Sequence, residues 1–173
     1  LVASATMTHP SDSLRRRADL DWDIRSGDLS FVKVLLDNGK KSRYRLPNDL
    51  RLDGMASVKG AAFETDLRFS EGKGDVLLTA SGNLSQQNGK AKLTMIDFPL
   101  QDFFPYDSVG RVTTDVSMEM LGTDPYNRKT TWMLEAYLNA FRFEGKDYSE
   151  ITVRGNYAAN KGTLQVESSL KPL

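Results

Sequence analysis

The chain contains no cysteine and a single histidine, His9. Those two absences exclude disulfides, thiol nucleophiles, Cys-based zinc sites and any site that needs two imidazoles. A surplus of one charge is missing as well, because 23 Lys and Arg balance 23 Asp and Glu. A protein that grips nucleic acid by neutralising phosphates needs a basic excess, so no nucleic-acid partner is expected. No apolar run approaches the roughly 18 residues of a membrane span. Leu1 does not open a signal-peptide pattern. The sequence also lacks a Gly-x-Ser-x-Gly elbow, a phosphate-cradling glycine loop and a His-Glu-x-x-His helix. No catalytic residue, no cofactor and no metal is therefore assigned, and the chain reads as a non-enzyme.

What is present is period-2 alternation. In Val112–Met120, the residues Val112, Val116, Met118 and Met120 share one side, while Thr113, Asp115, Ser117 and Glu119 share the other. A strand separates these sets, whereas a helix would scatter them. Asp19–Arg25 reads the same way. Thr131–Leu138 alternates too, although Met133 and Tyr137 make it apolar on both sides. Shorter examples run over Asp66–Phe69, Asp75–Ala80, Ile151–Arg154 and Leu164–Glu167. Glycine-bearing turns fall between them: Ser26-Gly27-Asp28, Asn38-Gly39-Lys40, Gly72-Lys73-Gly74-Asp75, Asn88-Gly89-Lys90, Glu144-Gly145-Lys146 and Lys161-Gly162-Thr163. Glycine accepts positive φ, and Asn or Asp beside it tolerates the same region, so these turns predict hairpins.

The pattern predicts an all-β fold: an antiparallel meander of hairpins in an elongated curled sheet, with one short helical crossover near 97–106. That crossover carries Pro99 and Pro105 around Phe98, Leu100, Phe103 and Phe104, which are expected to plug one end of the sheet. The 173 residues form one β-rich segment, read as an internal piece of a longer protein. A weak internal repeat relates 81–94 to 154–166, both reading Gly-Asn-apolar, a polar loop, Gly and an alternating strand. Two other arrangements use the same greasy faces: a two-sheet β-sandwich binding carbohydrate or protein, and a lipid-binding barrel capped near Phe103.

Two polar features read as structural. Asp19, Asp21 and Asp23 project from one side of a strand, successive pairs about 6–7 Å apart. A straight strand does not converge them on a cation, and Arg15-Arg16-Arg17 supplies counter-charges. His9, beside Pro10, lacks an orienting carboxylate and reads as a surface residue.

The order of elements from about Leu50 to Leu170 resembles the repeating β segments of the TamB and AsmA-like envelope proteins. The residues that carry this are Asp75 through Leu84, then Gly89–Thr94, then Phe98-Pro99-Leu100 through Phe104-Pro105, and a glycine-led strand from Gly110 to Gly122. The resemblance implies a piece of a long periplasmic protein anchored in the inner membrane of a diderm bacterium. It implies a U-shaped sheet with an apolar interior, linked to phospholipid transport to the outer membrane and to outer-membrane assembly. The implied partners are lipid acyl chains, flanking repeats of the same chain and an outer-membrane assembly protein. Candidate groove residues are Trp22, Ile24, Leu67, Phe69, Val76, Leu78, Val116, Met118, Met120, Trp132, Leu134, Leu138, Val153, Leu164 and Val166. A net charge of zero suits a passive conduit better than a head-group receptor.

Overall fold

The alternating segments become strands, and from the second to the eighth each pairs with its predecessor. The computed structural model describes residues 2–12, 15–26, 45, 47, 49–105 and 108–168. The strands are β1 (Val2–Thr8), β2 (Arg17–Ser26), β3 (Leu50–Lys59), β4 (Ala62–Glu71), β5 (Gly74–Asn83) and β6 (Asn88–Pro99). A helical turn, α1 (Leu100–Phe103), leads to β7 (Val109–Leu121) and β8 (Thr131–Phe143). The chain ends in β9 (Lys146–Tyr148), β10 (Ile151–Ala158) and β11 (Lys161–Ser168). All belong to one antiparallel sheet in the order β1-β2-β3-β4-β5-β6-β7-β8-β10-β11, with β9 paired to the end of β8.

The sheet is curled but not closed, since β1 and β11 each have one neighbour. This overturns both alternatives. A sandwich needs a second sheet and a barrel needs its two edges paired, and neither occurs among the described residues. Each strand packs chiefly against its sheet neighbours, with α1 resting on β7.

The turns follow positive φ more closely than they follow glycine. Gly72 (φ +58°) with Lys73, and Glu144 (φ +50°) with Gly145 (φ +74°), turn where expected. Two other turns are displaced. Asn88 and Gly89 lie in β6, and the turn is 84–87, where Asn83 Oδ1 accepts the backbone N–H groups of Ser85 and Gln86. Lys161 and Gly162 lie in β11, and the turn is Ala159-Asn160, both left-handed (φ +50° and +64°). That pair matches the strand twist as a two-residue hairpin loop. The repeated stretches 81–94 and 154–166 are thus both hairpins, but with loops of different length. Gly60 (φ +60°) forms a turn the sequence reading did not single out. The expected turn at Asn38-Gly39-Lys40, and Gly27-Asp28 of the one before it, lie outside the described residues.

The crossover is shorter than expected. β6 bulges after Met95, with Asp97 at φ +46°, and resumes pairing at Phe98–Val112 and Pro99–Arg111, so the helix keeps only four residues. Arg111 staples the bulge by donating to Asp97 Oδ1 and to the Asp97 carbonyl (2.7 Å). Phe98 stacks on Phe103 at 5.2 Å, and Phe69 meets both at 5.8 and 5.9 Å. Among the described residues of these strands Leu50, Phe98, Pro99 and Val112 are buried apolar side chains, so the small apolar core lies beneath α1, while Thr130 is buried at the other end of the strands. Phe104 remains 40% exposed and is not part of this plug.

Gly74 makes that packing possible. A Cβ there would lie 2.5 Å from Pro99 Cδ and 2.8 Å from Phe98 Cα. Gly74→Ala is expected to destabilise the chain by about 1–3 kcal/mol, read from the urea midpoint. Gly145→Asn, at a position with nothing within 4 Å, should change it by less than about 0.5 kcal/mol. Equal midpoints for Gly74→Ala and the parent chain would contradict this account.

Candidate functional site

Paired residues on neighbouring strands project to the same face of a sheet. The register therefore places Trp22, Gly54, Leu67, Leu78, Leu93, Val116, Ala136, Val153 and Val166 side by side from β2 to β11. Beside that row run Ile24, Leu52, Phe69, Val76, Met95, Thr114, Leu138 and Ile151. On its other side lie Leu20, Ala56, Thr65, Ala80, Ala91, Met118, Leu134, Gly155 and Leu164. A fourth row holds Val58, Phe63, Gly82, Gly89, Met120, Trp132 and Tyr157. All fifteen candidate residues fall on this one face.

The face is apolar but not sealed. Most of its side chains are half-buried, while Met118 is 37% exposed and, on edge strand β11, Leu164 and Val166 are 70% and 61% exposed. Strands lie about 4.8 Å apart, so the ten-strand path spans roughly 40 Å. Small residues at Ala56, Thr65, Ala80 and Ala91 form a low line along it, bordered by Leu67, Leu78 and Leu93 on one side and Phe63 on the other. Hydroxyls on this face are turned to the backbone: Thr65 donates to the Met55 carbonyl at 2.9 Å, and Thr114 to the Tyr137 carbonyl at 3.0 Å. Trp132 stacks on Tyr157 at 4.9 Å and donates its indole N–H to the Gly122 carbonyl at 3.0 Å. Trp22 Nε1 is buried without a hydrogen-bond partner. Residues such as Leu52, Phe63, Leu93 and Met95 were missed, although they sit in the same alternation.

The opposite face is charged. Met133 and Tyr137, ambiguous in sequence, lie there and are 49% and 42% exposed. Asp19 accepts from Arg17 at 3.0 Å, and Asp23 pairs with Arg25 and Arg51, each at 3.4 Å. Of the three consecutive arginines only Arg17 meets this carboxylate row, since Arg15 turns to Asp12 at 3.7 Å. Asp75 receives Arg68 Nε and Nη2 at 3.0 and 2.8 Å and the Ser70 hydroxyl at 2.6 Å. Open depressions of about 370 to 540 Å³ lie between side chains on this face. One holds Lys92, Asp115, Tyr137 and the 3.4 Å pair Glu135–Arg154. No group of three or more metal-ligating residues occurs among the described residues.

At the paired positions of β1–β7, Glu71 is the ionisable side chain on the apolar face. Burial, then the Asp102 carboxylate of α1, push it up from the ordinary glutamate range, against the pull of Arg111. Asp75 moves the other way, held low by its bonds from Arg68 and Ser70. A raised folded pKa gives stability that is full below the unfolded value and lost as pH rises through the folded one. Glu71→Gln should therefore raise the urea midpoint at pH 7, with the gain vanishing below about pH 4. Asp75→Asn should lower the midpoint at pH 7, with the difference shrinking as pH falls through and below the ordinary aspartate range. A Glu71→Gln gain that is the same at pH 3 and pH 7 would refute the assignment.

No protein-family model matches this chain, and no curated protein and no solved structure matches it either.

Proposed function

We propose that this chain is a segment of a TamB/AsmA-like, periplasm-spanning protein, and that its apolar face is a stretch of open groove for the acyl chains of phospholipids. What carries the reading is the unbroken apolar face, continuous from β2 to β11 on a sheet with neither a covering second layer nor closure among the described residues.

Acyl chains offer no hydrogen bonds, so a surface that conducts them needs no convergent donors and is better without them. Thr65 and Thr114 fit this need by spending their hydroxyls on the backbone. Each lipid methylene transferred from water to such a surface gains about 0.8 kcal/mol. Because that gain is similar at every step along a row of Leu, Val and Ala, a chain can slide without a deep trap. Met95, Met118 and Met120 add side chains that adapt to a moving occupant. The roughly 40 Å path exceeds the about 30 Å hydrocarbon core of a bilayer, so a single acyl chain fits within this segment. In the parent protein the two open sheet edges would continue into flanking repeats. An inner-membrane anchor and an outer-membrane assembly partner would then place the groove between the two membranes.

A photo-crosslinking amino acid at Leu78 or Val116, on the apolar face, should capture co-purified phospholipid, detected by mass spectrometry of the adduct. The same probe at Thr79 or Ser117, one residue along each strand and on the polar face, should capture at least about tenfold less, as expected for strict period-2 sidedness. Equal capture from both faces, or none from either, rejects the groove.

A further inference from the structure

The meander gathers alternate strand ends at two lips of the sheet. One lip carries the connectors 9–16, 60–61, 84–87, 122–130 and 159–160 with the strand ends that flank them. Its basic side chains are Arg15, Arg16 and Arg17 before and at the start of β2, and Lys59 at the end of β3. Arg128 and Lys129 before β8, and Lys161 at the start of β11, extend the series. Against them stand Asp12 and Asp124 in the connectors, with Asp19, Glu64 and Glu119 two residues inside the strands; Asp19 is taken by Arg17 and Glu64 accepts from the Ser57 hydroxyl. Asp12 is engaged by Arg15, and Asp124 Oδ1 accepts the Tyr126 backbone N–H at 2.9 Å. Lys59, Arg128, Lys129 and Lys161 are exposed and make no ion pair among the described residues. At the opposite lip, acidic residues outnumber basic ones among the described residues, and Arg111 and Arg142 are already bound to Asp97 and Asp147.

The basic lip adjoins the apolar face directly. Its 122–130 connector is held by Thr130, which donates to the Asp124 carbonyl at 2.6 Å, and by Trp132 Nε1 on the Gly122 carbonyl. The Tyr157 hydroxyl donates to the Pro125 carbonyl. The same two aromatics end a row of the groove, so fixed cations border apolar surface, and Tyr126 stands 86% exposed among them.

We propose that this lip holds the anionic phosphate head groups of lipids whose acyl chains lie on the apolar face, which orients the lipids and favours those with net negative charge. The proposal rests on the groove reading above and adds to it an orientation and a head-group preference. An amphiphile satisfies both surfaces at once, whereas a nucleic acid or an acidic protein would use the cations and leave the apolar face bare. Cations at a lipid surface each favour anionic head groups by a few-fold, and four of them supply about tenfold with room for screening.

The test loads the purified chain from vesicles with identical acyl chains, half phosphatidylglycerol and half phosphatidylcholine, and counts bound lipid by mass spectrometry. Phosphatidylglycerol should be enriched about tenfold, and the enrichment should shrink at high salt. Combined Lys59→Glu, Arg128→Glu, Lys129→Glu and Lys161→Glu should abolish the enrichment while total lipid bound persists. Lys73→Glu with Lys146→Glu, at the other lip, should leave it intact. Equal loading of the two lipids by the parent chain overturns the proposal and spares the groove, whereas no loading of either removes both. Enrichment erased by inorganic phosphate at matched ionic strength assigns the lip to the free anion and overturns the proposal. Tight binding of a short DNA duplex, lost in the fourfold variant, overturns it as well.

Discussion

Register is the constraint on which the rest of this molecule depends. The side-chain period of a strand is two, so a slip of one residue between any pair would carry a strand's apolar set to the wet side. Here the pairing holds through nine successive interfaces. The consequence is that Trp22 on β2 and Val166 on β11 stand on the same face of the sheet, eight strands apart. The regularity is interrupted at the β6 bulge, which Arg111 fixes through Asp97 from the neighbouring strand, and twice more along β7–β8, between Val109 and Val112 and between Thr113 and Thr114.

A sheet of this kind derives little from a sealed interior. Among the described residues of the strands, the buried apolar side chains Leu50, Phe98, Pro99 and Val112 cluster near α1. Elsewhere, stability comes from ladder hydrogen bonds and from the flanks of side chains on adjacent strands, each pair contributing roughly 0.2–1 kcal/mol. Exposed ion pairs such as Arg25–Asp23 add little by themselves, because water and salt screen them. Their role on the polar face is to keep it wet, which leaves the sheet with a single apolar face.

Much of this was legible in the chain. The alternation of Val112–Met120 and Asp19–Arg25 identified strands and sides correctly, and every residue assigned to the greasy face stands on it. β1 was not singled out because Val-Ala-Ser-Ala-Thr-Met-Thr is small and nearly uniform in polarity, so its period is faint. Turns were misplaced at 88–90 and 161–163 because left-handed backbone at Ala159 and Asn160, or an Asx loop at Asn83, replaces the glycine on which the reading relied. The helical crossover shrank because β-bulge pairing at Phe98 and Pro99 competes with helix, and apolar spacing alone does not register that competition. The division of charge between lips was illegible in composition, since it arises only when the meander brings Lys59, Lys129 and Lys161 to the same margin.

The strand order has a further bearing on how the molecule forms. Most strands along the sheet path pair with the one just completed; β3 reaches β2 across residues 27–49, and β10 returns to β8 past β9. Loop-closure entropy is then met in small instalments, hairpin by hairpin. Such a polypeptide can acquire its structure vectorially as it emerges end-first, with each new hairpin templated on the ribbon already formed.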